Sequence, residues 1–154
     1  MLKIIEDYFE RLEELRADIH AVVDGLPPEA IDWSPGPPVN ALAVLLAHVA
    51  GSLRYWVGDV AGREPSGRDR EAEFRTQGVD AAQLTARLDQ AFGAARQVLE
   101  RLDAADLGAT RVPPRGGNEV SVMWALLHAL EHTATHLGHM QALRDAWNQK
   151  PGSG

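Results

Sequence analysis

The 154-residue chain contains no cysteine. That excludes a disulfide framework, a thiolate zinc site, an iron–sulfur cluster and a cysteine nucleophile, so any thiol chemistry must use a thiol brought from outside. Lysine is nearly as scarce, with only Lys3 and Lys150, and the formal net charge is −7. Nucleic-acid binding depends on cations that neutralise phosphates, so nucleic acid is excluded as an expected partner. The longest apolar run, "ALAVLLAHVAG", is too short to span a bilayer, and the acidic opening "MLKIIEDYFERLEEL" lacks the apolar core of a signal peptide. These absences describe a cytoplasmic protein with no membrane partner. At this length one domain can bury about two-thirds of its extended-chain surface. The expected limits are a single domain over 1–148 and a flexible tail over 149–154.

Four segments carry helical periodicity, and none shows the period of two expected of a half-buried strand. Ile5, Tyr8, Leu12, Leu15, Ile19, Val22 and Leu26 alternate steps of three and four, and Pro27-Pro28 ends that run. The second run passes through Leu42, Leu45, Leu46, Val49, Leu53, Trp56 and Val60, with Asn40 as expected N-cap and Gly62 as expected C-cap. Leu84, Leu88, Ala91, Ala95, Val98 and Leu102 mark the third, and "VSVMWALLHALEHTATHLGHMQALRDAW", capped by Ser121, the fourth. Four amphipathic helices of similar length specify an all-α four-helix bundle. The connections near 62–79 and 103–120 read as crossovers or as simple loops.

Of six histidines, four lie in "HALEHTATHLGH". At about 100° per residue, His132 and His136 are separated by roughly 40° around the helix and about 6 Å along it, so both imidazoles can reach one point. His128 and His139 share the arc but lie a turn away. A three-ligand site with an open position, as in catalytic zinc, needs one more donor from a facing helix. His48, at the edge of an apolar stripe where a lone imidazole is awkward, supplies it. His20 reads as a flanking surface residue. The overlapping "HALEH" matches the H-x-x-E-H pattern of inverted zincins, but the 22 residues after His132 leave too little chain for a downstream acidic ligand. Glu131 is left as a carboxylate that orients an imidazole or as a solvated helix residue.

The combination of "IDWSPGPPVNALAVLLAHVAGSLRYW" with "LLHALEHTATHLGHMQALRD" resembles the DinB-like superfamily over most of the chain, most strongly at 31–60 and 121–145. The resemblance implies a four-helix bundle, a homodimer, and a divalent metal on His48, His132 and His136. It also implies thiol-dependent transfer or isomerisation of a small-molecule substrate, with mycothiol or bacillithiol as the thiol; the alternative is a bundle that binds metal or ligand without turnover. Zinc, nickel and iron all suit imidazole ligands. The chain departs from many relatives in placing His139, not an amide, after Gly138.

Other positions stay open at this level. Trp33 in "DWSPGPP" either plugs the bundle end or walls a pocket over the metal. Trp56, Trp124 and Trp147 read as core or dimer-interface residues. Arg54 and Arg115 either bind a carboxylate of the thiol or substrate or are merely solvated.

Overall fold

The computed structural model describes residues 1–152. Four long helices form the bundle: α1 (Lys3–Val23), α3 (Leu42–Leu53), α5 (Ala81–Leu99) and α7 (Val122–Gln149). Three short ones, α2 (Pro28–Asp32), α4 (Arg70–Phe74) and α6 (Ala104–Gly108), sit in the connections. Strands β1 (Thr110–Arg111) and β2 (Val120–Ser121) pair antiparallel, Thr110 opposite Ser121, and close the loop before α7. Among the described residues no helix is long and apolar enough to cross a membrane.

Helix α1 packs on α5 and α7, and α3 packs on the same two, so α1 lies diagonal to α3 and α5 diagonal to α7. Side-chain contacts give the directions. Tyr8 donates to the Leu126 carbonyl (2.8 Å), while Arg144 donates to the carbonyls of Ala21 (2.6 Å) and Val22 (2.7 Å), so α1 and α7 run parallel. His20 meets Asp89 and Phe9 meets Arg96, which makes α1 and α5 antiparallel. His48 faces His132 and Trp56 faces Trp124, so α3 and α7 are antiparallel as well. The neighbours α3 and α5 therefore run parallel. Parallel neighbours cannot be joined by a tight turn, so 62–80 must return along the bundle and is a true crossover. Residues 24–41 and 100–121 link diagonal pairs across the ends.

The helix limits follow local chemistry with corrections at Asn40, Leu26 and Leu102, the last lying beyond α5, which ends at Leu99. Ser121 accepts from the Trp124 N–H (3.0 Å) and Asp80 from the Ala82 N–H (3.1 Å), satisfying donors that the first turn leaves unpaired. Asn40 does not cap α3: Ala41 holds the N-cap position with no side-chain bond, and Asn40 is exposed. Leu26 lies beyond α1, which ends at Val23, and packs on the core from the loop. The second helix continues past Leu53 as a π-helical stretch, Arg54–Ala61, and Gly62 closes it through a bond to the Val57 carbonyl (2.9 Å). A Cβ at Gly62 would lie 2.7 and 2.8 Å from the Val98 methyls, so glycine is what lets this end approach α5. At the other terminus Gln149 belongs to α7, Pro151 and Gly152 form a turn, and 153–154 lie outside the described residues.

The main core joins all four long helices, including Leu12, Ile19, Leu46, Val49, Leu88, Phe92 and Leu126. Ten of the twelve residues of α3 are buried, because the helix is covered by α5, α7 and the returning segment together. A helix apolar all round has to be enclosed. His48 is a polar residue inside that enclosure.

Candidate functional site

His48 from α3 meets His132 and His136 from α7, and one ligand atom from each lies within 4.8 Å of the other two. The Nε2 atoms of His48 and His132 are 3.0 Å apart. Zinc–nitrogen bonds of about 2.0–2.1 Å at a tetrahedral angle place two ligand nitrogens about 3.3 Å apart, so this spacing suits one shared ion. The ring of His136 stands edge-on to that of His48, with centroids 5.0 Å apart. All three donors are imidazole nitrogens, a set that fits zinc and other borderline divalent metals.

The electrostatics of His132 and His136 suit a cation, because neither ring carries a second proton. Burial pushes His132 down to about 3, aided by repulsion from His136, His48 and His128. Burial, with His48 and His139, pushes His136 down to about 4. Both rings are therefore neutral through the physiological range, with lone pairs available.

The carboxylate that orients the cluster comes from the returning segment. Glu73 in α4 is buried, and its Oε2 lies 2.9 Å from His48 Nδ1. Burial drives its carboxyl pKa upward, but bonds from Arg68 and His48 outweigh that and hold it below the ordinary value. An ionised carboxylate only accepts, so His48 Nδ1 carries the hydrogen and Nε2 is the nitrogen turned toward the cluster. Arg68 grips the same carboxylate with Nε (2.6 Å) and Nη2 (2.9 Å). Asp69 caps α4 by accepting from the Ala72 N–H (3.0 Å), and Phe74 packs on the His48 ring. Gly51, one turn after His48, makes room: a Cβ there would overlap Glu73 Oε1.

The other candidates take separate places. His128 leaves the cluster to stack on Trp124, with planes 4° apart and centroids 5.0 Å apart, and to meet the edge of Trp56. Trp124 is 46 % exposed, so it is not a core residue of this chain. His139 sits beside His136, Nδ1 to Nδ1 3.3 Å. Glu131 is exposed, and the orienting role falls to Glu73 instead. His20 is bound to Asp89 at 2.8 Å on the far side of the bundle. Trp33 packs edge-on to Trp147 and against the core, as a plug does. The Arg115 backbone N–H donates to the Tyr55 hydroxyl (3.1 Å), and Arg54 lines a polar cavity with Arg87 and Gln90 behind the Glu73 segment.

Sequence reasoning missed Glu73, Arg68 and Gly51. "GRDREAEF" falls within the polar connection near 62–79, and its one available signal is Asp69 followed at helical spacing by Glu73 and an aromatic.

The profile of the family described as Mycothiol-S-transferase matches residues 7–149. Among curated proteins none matches the chain. A solved structure, a conserved protein of locus from Enterococcus faecalis, superposes with a TM-score of 0.72 at 15% identity, covering 94% of this chain and 96% of that one. At that identity the likeness speaks for the fold.

Proposed function

The chain belongs to the mycothiol S-transferase family, of DinB-like fold, and on that premise we propose that it is a divalent-metal-dependent enzyme joining a low-molecular-weight thiol to a small electrophile. One observation carries the metal in this reading: three imidazoles on two helices converge within 4.8 Å, one of them oriented by a buried carboxylate. His48, His132 and His136 are the ligands proposed, and zinc the metal, with nickel or iron as competitors for the same donors. When bound, such an ion keeps its positive charge among neutral ligands and lowers the pKa of a thiol that coordinates it, which at about 8.5 is otherwise mostly protonated at neutral pH.

The chain's own residues do the rest. Glu73 holds the His48 tautomer, and Arg68 holds Glu73 ionised. Phe74 packs on the His48 ring, and Trp56 meets His128, which stands next to His132. In the reaction a carbon–sulfur bond forms, the leaving group departs with its electron pair, and the thiol proton passes to solvent. Mycothiol is the thiol favoured by the family, with bacillithiol as the alternative. A homodimer and a cytoplasmic location belong to the same proposal.

The test sets metal-loaded protein beside His48→Ala, with mycothiol, bacillithiol and glutathione against several electrophiles. Metal-dependent thiol consumption by the first and not the second is expected. Equal rates for the two proteins across the panel would retire the transferase in favour of a bundle that binds without turnover.

A further inference from the structure

The three-histidine cluster has flanks of opposite character. On one, His128, Trp56 and Trp124 stack into an aromatic wall. On the other lies a cavity of about 460 Å³ between the second half of α7 and the loop leading into α3. Pro35, Pro38, Val39 and Leu45 face Ala142 and Ala146 across it, and His136 and His139 stand in its wall. Among the described residues no Asp, Glu, Lys or Arg lines it. The cavity behind Glu73 is lined instead by Arg54, Arg68, Asp69 and Arg87.

Resting on the transferase reading, the geometry points to the apolar cavity as the electrophile's subsite, and to an uncharged, apolar molecule as the class it takes. Pro35, Pro38 and Val39 are exposed, Val39 by 44 %, yet they converge on one concave surface. The volume is in the range of small-molecule sites, about 300–1,000 Å³. A charged group would lose its hydration there with no partner to replace it. An apolar body placed against Leu45 and Ala146 leaves its reacting carbon at the histidine end, the one polar part of the wall besides Asn40. With a benzylic halide, the thiol sulfur bonds to the benzylic carbon, the carbon–halogen bond breaks with its pair on the halide, and the thiol proton goes to solvent. Ala142 and Ala146, four apart on α7, set the length that fits.

The test uses the zinc-loaded full chain and unreactive analogues of such electrophiles: benzyl alcohol and its 4-ethyl and 4-butyl derivatives, titrated by NMR. Affinity should rise by about fourfold per methylene as apolar area is buried. The resonances that move should be those of Val39, Leu45 and Ala142. Ala146→Leu should weaken the butyl compound at least tenfold and the parent alcohol less. Ala142→Leu, at an exposed position where folding is not in question, should act in the same direction. Affinity independent of chain length, or unchanged in both variants, would overturn the subsite. So would a change in molecular mass of Ala142→Leu without a change in affinity, which would mark this face as a contact between copies. Graded binding together with no zinc-induced rise in melting temperature upholds the apolar site and removes the metal reading instead.

Discussion

Glu73 accepts a hydrogen bond from His48 Nδ1 at 2.9 Å across 25 positions of chain, with both side chains buried. This contact decides which histidine nitrogen faces the cluster. Without a cation, the 3.0 Å contact between the two Nε2 atoms needs a hydrogen from His132; with one, both lone pairs can face it.

Glu73→Gln keeps the shape and removes the charge. Loss of a carboxylate that orients a ligand typically weakens metal binding by about 10–100-fold. It also leaves Arg68 without its buried partner, which costs about 3 kcal/mol. Zinc competition titrations and urea unfolding read the two effects separately, and equal zinc affinity in both proteins would remove Glu73 from the site.

Gly51→Ala should imitate that change from a position with no chemistry of its own. The added methyl overlaps Glu73 Oε1 and must push the carboxylate away from His48. Zinc affinity should fall in the same direction as for Glu73→Gln, while Gly93→Ala, where a Cβ meets nothing within 4 Å, should leave it unchanged. An unaffected Gly51→Ala would mean that the returning segment adjusts without cost.

Zinc added to stripped protein should raise the melting temperature by an amount set by RT ln(1 + [L]/Kd). His136→Ala should abolish the rise, because it removes one of the three converging donors. His139→Ala should keep much of it, since that ring lies beyond the cluster against His136. Equal loss in the two variants, followed by differential scanning calorimetry, would show that the wrong pair on α7 has been assigned.

The pH dependence of the metal-free protein follows from the two depressed histidines. His132 at about 3 and His136 at about 4 lie below the ordinary 6.5, so the unfolded chain binds more protons than the folded one in between. Stability is therefore full above pH 6.5, falls as pH drops toward 4 and 3, and flattens below. Urea midpoints measured down that range should decline less steeply in a His132→Asn, His136→Asn double variant. The same depression means that protons compete poorly for His132 and His136, so bound zinc should persist to lower pH than it would with those two rings at the ordinary value. A wild-type decline no steeper than the variant's would show that the rings titrate normally.

The helices and the His132/His136 pair are legible in the sequence because both are written in local spacing. The seam through Ile5, Tyr8 and Leu12 is buried as its period implies, Ser121 caps the fourth helix, and the i, i+4 pair His132 and His136 shares a helix face whatever its surroundings. His48 was legible as the polar exception in an apolar run. Asn40 was misread as a cap because cap preference is a weak local bias, and the chain enters α3 extended through Ala41.

What the sequence by itself determined is thus the set of helices and the histidines on each, since both depend on residues a turn or two apart. Only the tertiary structure decided that α3 and α5 lie parallel, and with them the path of 62–80 over the bundle. That path carries Arg68 and Glu73 onto His48, with room made by the missing side chain of Gly51. A charge run looks solvated in one dimension. Its burial here depends on a partner 25 residues away and on a gap that appears only once α3 is enclosed on every side.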